Sequence, residues 1–222
     1  MEILMYTKIL LVVACLITNI THAAEKDGKI REIPLPGGYA LVPYQAKHID
    51  GLKSVVNDPE VFPHIRHGGK WNDDLIQKRH NAYLEGNANN NTKYDPTTFL
   101  ACWVLISPSG EIIGRGGFQP EDECQPVATE AFFAIKGNYQ GKGLMQASWR
   151  GMHEWFDNVV GSDKLLRWLT MKDNIASIHL AQKFGFKPRA NESGDAQLVI
   201  KNWDKEYFVF ERNGTHDLSA KN

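Results

Sequence analysis

The sequence predicts a mixed α/β fold in one domain, and three observations carry that prediction. Apolar runs of strand type, "TFLACWVLIS" and "VATEAFFAI", flank a returning segment, "EIIGRGGFQ". Segments with a helical period precede and follow this group, as in "AKHIDGLKSVVND" and "LMQASWRGMHEWF". The chain has 222 residues, 42% of them hydrophobic, which is enough for one core. The formal net charge is −1, and no long like-charge block or internal repeat interrupts the sequence. That balance argues against a nucleic-acid partner, which would call for a basic patch.

Each element follows from local pattern. "YALVPYQ", Tyr39 to Gln45, reads as the first strand. A helix follows, with Ile49, Leu52, Val55 and Val56 on one face, and Asp58-Pro59 ends it. "WNDDLIQKRHNAYLEG" is a second helix, and "EGNANNNTKYD" a polar loop. "TFLACWVLIS" has no polar alternation, so it should be a strand covered on both faces. "SPSG" turns the chain into "EIIGRGGFQ", and "VATEAFFAI" is a third strand. Met145, Trp149, Met152 and Phe156 then share one helix face. "KLLRWLTM" is a strand, and "NIASIHLAQKFGF" a helix that stops at Gly185. "AQLVIKN" and "KEYFVFER" close the domain as a hairpin-like pair.

The front end carries a different pattern. Lys8 precedes an apolar run, Ile9 to Ile17, and small residues follow at Ala23-Ala24. A basic flank, a short apolar stretch and a small-residue exit describe a secretory signal peptide. The run is short for a bilayer span, which takes about 20 apolar residues. Val12-Val13-Ala14-Cys15 also loosely resembles a lipobox, and a misassigned start is the bland alternative. The expected organisation is a signal peptide over 1–23, a linker over 24–38, the domain over 39–212 and a loose tail over 213–222. An exported protein, with no stable membrane span after cleavage, is the expectation. Cys102 and Cys124 would remain, either as a disulfide or, for Cys102, as a buried thiol. Histidine and cysteine spacing predicts no metal site.

One turn carries chemistry. Gly141-Lys142-Gly143 stands between a strand and a helix. A helix start leaves four amides unpaired at the positive end of the helix dipole, and glycine lets a ligand approach them. The amides from Gly141 through Leu144 to Met145 are therefore suited to a pyrophosphate, with Lys142 a cation at the rim. The Walker loop and the dinucleotide fingerprint both fail here, the latter because Gln146 replaces its last glycine. A plain strand-to-helix turn is the alternative.

The segment Gln140-Gly141-Lys142-Gly143-Leu144-Met145 resembles the [QR]-x-x-G-x-[GA] acetyl-CoA signature of the GNAT superfamily of N-acetyltransferases, departing at Met145. "NDPEVFPHI", "TEAFFAIKGNYQGKG" and "DNIASIHLAQKFGF" resemble segments of its RimJ/RimL-like, ribosomal-protein-alanine acetyltransferase branch, in the same order. The resemblance covers about Tyr39 to Arg212. It implies a central, mostly antiparallel sheet flanked by helices, acetyl-CoA as donor, and a primary amine as acceptor, on a small molecule or a peptide.

It also implies roles. Phe133 and Ile135 would lend backbone groups to the pantetheine arm, and Gln140 to Met145 would hold the pyrophosphate. Asn174 would bond the cofactor arm. Glu130, the only charged residue in "VATEAFFAI", would be the base, since an apolar setting favours proton uptake at neutral pH. Its alternative is a salt bridge to a neighbouring strand. Ser177 would protonate the leaving thiolate, because Ala181 stands where many relatives carry a tyrosine. A helix cap for Asn174 and a backbone bond for Ser177 are their structural alternatives. Tyr139, Trp149, His153 and Trp155 read as core aromatics before catalysts. The acceptor side falls near Phe62 to Trp71, where His64, Arg66, His67 and Trp71 suggest a polar or anionic acceptor. A domain that binds acyl-CoA without turnover stays open as the second reading.

Overall fold

A computed structural model describes residues 28–65, 69–89, 94–120, 128–190, 199–202 and 205–212. The expected signal peptide, Arg66, His67, Cys124 and the tail lie outside the described residues.

The strands are β1 (Ile33–Pro34), β2 (Ala40–Pro43), β3 (Ala101–Ile106), β4 (Ile112–Pro120), β5 (Thr129–Ile135), β6 (Leu166–Met171), β7 (Lys187–Pro188), β8 (Val199–Asn202) and β9 (Lys205–Arg212). The helices are α1 (Ile49–Val56), α2 (Asp73–Asn89), α3 (Leu144–Phe156) and α4 (Ile175–Lys183). The sheet runs β1-β2-β3-β4-β5-β6-β9-β7, with β8 paired to β9. Every pairing is antiparallel except β5 with β6. The expected elements are all present. Two short strands are added, and one of them, Ile33–Pro34, falls within the stretch read as linker.

Helices cover both faces of the sheet. One layer joins α3 and α4 to Trp103, Phe118, Trp149 and Trp168. The other joins α1 and α2 to Leu52, Tyr83, Cys102 and Val104. Strand alternation divides β3 between them: Trp103 and Leu105 serve one layer, Cys102 and Val104 the other. That is why the run lacks polar residues. Cys102 is a free thiol, wholly buried, and burial pushes its pKa up to about 12. Its backbone is tied to α2 by Asn87, which donates to the Cys102 carbonyl at 2.9 Å and accepts from its amide at 2.9 Å.

Tryptophan N–H groups fasten the first described residues across the α3 layer. Trp103 Nε1 donates to the Arg31 carbonyl at 2.8 Å, and Trp155 Nε1 to that of Lys29 at 3.1 Å. Helix α3 runs on into a π-helical turn, Asp157–Gly161. Arg212, almost fully buried, reaches that turn and donates to Asp157 at 3.0 Å. No helix among the described residues is long and apolar enough to cross a membrane.

His153 lies buried in this layer beside Trp149. Burial first, and the Arg212 charge second, lower its pKa from 6.5 to about 3. Between those values the unfolded chain binds a proton that the folded chain refuses. Stability contributed by the neutral ring is therefore lost as pH falls below 6.5. Asp157, whose carboxyl burial pushes upward, acts in the opposite sense. We expect wild-type stability to drop between pH 7 and pH 5, by up to about 2 kcal/mol from this ring. His153→Gln should flatten that slope in denaturant titrations at the two pH values. An unchanged slope would remove His153 as its source.

Candidate active site

The site begins where a parallel pairing stops. Strands β5 and β6 are in register at Thr129 with Leu166, Glu130 with Arg167, and Ala131 with Trp168. Both strands continue, β5 to Ile135 and β6 to Met171, without further pairing to each other. Each is held to its end by its other neighbour: Ile135 is in register with Gly114, and Met171 with Tyr207. The sheet therefore splays, and a cavity of about 420 Å³ occupies the opening. Residues from both faces of β5 line it, Ala131 and Phe133 from one, Glu130 and Phe132 from the other. The opening thus passes through the sheet.

The edge of β5 that faces the gap presents backbone groups. The Thr129 amide bonds across the boundary to the Leu165 carbonyl at 3.2 Å. Strand alternation turns the backbone groups of Ala131, Phe133 and Ile135 the same way. Gln140 Nε2 takes up the Ile135 carbonyl at 3.0 Å, which fixes the turn that follows β5. Phe132 and Phe133 owe their positions to β4. A Cβ on Gly116 would stand 2.2 Å from the Phe133 ring, and one on Gly117 3.0 Å from that of Phe132. Gly116 leaves the room that the Phe133 ring fills, while at Gly117 the Ala101 carbonyl oxygen, 1.9 Å from a Cβ, excludes a side chain first.

The turn then opens α3. Gly141 and Gly143 have φ of 72° and 74°, a left-handed conformation costly for residues with a Cβ. Gly143 is the N-cap and supplies no capping side chain. The amides from Gly141 to Met145 precede the bond from the Ala147 amide to the Gly143 carbonyl at 3.1 Å. Gly141, Gly143, Leu144 and Met145 line the cavity, so the positive end of the helix faces open space. Lys142 does not line it. Its ammonium sits 4.8 Å from the centre of the Tyr139 ring, whose hydroxyl donates to Glu111 at 2.8 Å.

Glu130 lines the cavity from the α1–α2 side and is 5% exposed. It accepts from Gln119 Nε2 at 3.1 Å. Arg167 stands across from it in the register, and Arg167 Nε donates to Glu211 at 2.7 Å. Asn174 and Ser177 line the opposite wall. Asn174 also caps α4, accepting the Ser177 amide at 3.1 Å. The Ser177 hydroxyl accepts from Trp168 Nε1 at 2.9 Å. Because that hydroxyl has a single proton, an indole donor leaves the proton free to be given elsewhere. Ala181 is wholly buried in the core.

Ten of the eleven residues singled out from sequence as catalytic or cofactor-binding meet at one cavity; Lys142 is the exception. His64 joins them, while Trp149 and Trp155 are core and His153 lies among them. Arg115, Gln119 and Tyr207 also line the cavity and were not singled out from the sequence. Arg115 and Gln119 could have been suspected as long polar side chains in an otherwise apolar strand. Tyr207 reads as an ordinary strand aromatic. No group of His, Cys, Asp and Glu suited to a metal occurs among the described residues.

Comparison with curated protein sequences gave no match. Solved structures share the fold. A Bordetella pertussis protein assigned to the GnaT family of acetyltransferases superposes with a TM-score of 0.65 at 18% identity, over 82% of this chain and 99% of that one. The ribosomal-protein-S5-alanine acetyltransferase of Vibrio fischeri gives 0.59 at 13% identity, over 79% and 93%. RimL, a ribosomal L7/L12 alpha-N-protein acetyltransferase solved in complex with coenzyme A, gives 0.58 at 13% identity, over 82% and 98%. At these identities the likeness is one of fold. The sequence itself matches the acetyltransferase (GNAT) domain model over residues 40–187. With two thirds of its length matched, the chain belongs to the GNAT acetyltransferase domain family.

Proposed function

We propose that this protein transfers an acetyl group from acetyl-CoA directly to a primary amine, in a ternary complex. The observation that carries this reading is the cavity through the sheet. It joins an uncapped helix start to a buried carboxylate and reaches both faces of the sheet. A donor can enter from the α3 side while an acceptor enters from the α1–α2 side. The RimL relative with coenzyme A supports this donor, and relatives named for acetylating ribosomal proteins support a peptide amine as one acceptor class.

The residues divide the work by position. Amides at the start of α3 hold the diphosphate, each charge-assisted bond contributing about 1.5–3 kcal/mol. The gap-facing backbone of Phe133 and Ile135 orients the pantetheine arm beside β5. Glu130 accepts the amine's proton, directly or through water, as the nitrogen forms its bond to the thioester carbon. A backbone N–H on the β5 edge stabilises the oxyanion that develops. The carbon–sulfur bond then breaks, and Ser177 gives its proton to the thiolate. The proton held by Glu130 restores the serine through solvent, so the products are the amide and free CoA thiol. Asn174 holds the first turn of α4, and with it Ser177, in place.

A second reading, acyl-CoA binding without turnover, is favoured by one observation. Ala181 is buried and brings no hydroxyl to the site. An amine panel assayed for thiol release separates the two, since binding alone releases no thiol.

Gly141→Glu places a carboxylate where the diphosphate would lie and strains a left-handed position. It should abolish CoA binding in titration calorimetry. Gly143→Ala should cost about 1–2 kcal/mol of stability through the same strain, with Gly143→Asn milder. Retained CoA affinity in Gly141→Glu would defeat the anion site. Glu130→Gln should lower kcat about 100-fold or more with CoA affinity kept, and Ser177→Ala should lower it less, since water can replace the hydroxyl. Wild-type rates in Glu130→Gln across pH 6–9 would remove that carboxylate from the mechanism.

A further inference from the structure

Deepening that reading, we propose that Arg115 is an anion anchor in the acceptor half of the cavity, so that the acceptor carries a carboxylate besides its amine. Three arginines of the described residues are similarly buried: Arg115 at 7%, Arg167 at 3% and Arg212 at 2% exposure. Arg167 meets Glu211 at 2.7 Å and Arg212 meets Asp157 at 3.0 Å. Arg115 lines the cavity, and no carboxylate among the described residues lies within ion-pair reach of it. Its Nε is buried without a hydrogen-bond partner, while Nη1 donates to the Tyr83 hydroxyl.

The guanidinium sits in an aromatic cage. Its carbon lies 4.8 Å from the centre of the Trp71 ring and 4.9 Å from that of Phe132. Tyr83 stacks on Phe132 behind them, the planes 15° apart. The cage is itself held. Asn57 accepts from the Trp71 amide at 2.7 Å and donates to its carbonyl at 3.1 Å. Aromatic faces offset only part of the cost of taking a guanidinium out of water. A planar carboxylate in the cavity would supply the rest, in the two-pronged geometry that arginine favours.

The placement selects the acceptor over the donor. Arg115 is in register with Val104 and Ala134, both in the α1–α2 layer, so it lies on the sheet face opposite α3. Glu130 lies on the same face, because Gln119 is its partner on β4. Gln119 lies four positions along β4 from Arg115, about 13 Å between their Cα atoms. An acceptor of moderate length can therefore present its amine to Glu130 and its carboxylate to Arg115.

The test uses the protein saturated with CoA, titrated calorimetrically with ω-amino acids of four to eight carbons and with their matched amides. Two short peptides with Glu or Gln as second residue form a second pair, distinguishing a small acceptor from a peptide. At least one acid should bind about tenfold or more tightly than its neutral partner. Arg115→Met should bring the pair within about twofold while CoA affinity holds, and Arg115→Lys should recover part of the difference. Equal binding of acid and neutral partner throughout the wild-type series overturns the proposal without any variant. So does a preference that survives in Arg115→Met, or a loss confined to CoA affinity. Acetyl transfer is followed in parallel. If acids bind through Arg115 and no amine is acetylated, the transfer reading falls and the anchor stands.

Discussion

The whole site depends on the length of one strand pairing. β5 and β6 hold each other for three residues, Thr129 to Ala131 against Leu166 to Trp168, and then part. Neither strand is loose beyond that point. The Lys136 amide still bonds to the Ile113 carbonyl at 2.9 Å, so β5 stays with β4. The Lys172 amide bonds to the Glu206 carbonyl at 3.1 Å, so β6 stays with β9. Two half-sheets, each satisfied on its outer side, leave inner edges that no longer pair with each other; at their far ends Gln140 Nε2 takes the Ile135 carbonyl and the Asn174 amide takes that of Met171. Unpaired backbone groups are costly when buried, and a ligand or water must meet them. The splay thus leaves backbone groups of β5 facing a cavity, which is the geometry that the proposed binding of a pantetheine arm would use.

The side chains around the gap are sorted by the pleat. The odd-numbered residues of β5, Ala131, Phe133 and Ile135, join the aromatic layer beneath α3 and α4. The even-numbered ones, Glu130, Phe132 and Ala134, look toward α1, α2 and the loop between them. A glutamate in that second set can be buried and still reach a cavity. In the first set it would have met Trp149 and Trp168. The turn after β5 repeats the logic in backbone form. Positive φ at Gly141 and Gly143 bends the chain so that α3 starts at the mouth of the gap, its dipole aimed into it. One sheet opening thus gathers an uncapped helix start, a strand edge and a carboxylate.

Much of this was legible in the sequence, and the reasons are local. Gly141 and Gly143 announce their backbone by being glycine. Glu130 stands out as one charge in an apolar run, and the period of α3 separates Trp149 and Phe156 from solvent. What could not be read depends on partners far apart in sequence. The end of the β5–β6 pairing is set by β4 and β9, and no pattern inside either strand records it. β1 and β7 have two residues each, too few to show a period. Arg115, within "GRGG", stands out as a charge in an apolar strand, but nothing local shows which face it takes or what surrounds it. Its burial comes from Trp71, Tyr83 and Phe132, which sit on three separate segments.

The segment "NDPEVFPHI" shows how a resemblance and a physical role can coincide. Its Asn57 is the C-cap of α1, where its amide bonds the Lys53 carbonyl at 3.2 Å, while its side chain clamps the backbone of Trp71, fourteen residues on, as both donor and acceptor. Asp58 accepts from the Gly137 amide at 3.3 Å, and Glu60 packs where a Cβ on Gly137 would stand. One short stretch therefore ties the Trp71 wall of the cavity's α1–α2 side to the turn that leads into α3. Geometry on the two sides of the sheet is not independent. A change at Asn57 would loosen the Trp71 wall, and a change at Asp58 would loosen the turn before α3. That the two residues are adjacent gives both sides of the cavity one rigid reference. The direct transfer proposed above would depend on it, since such a step proceeds only when amine and thioester are held in register.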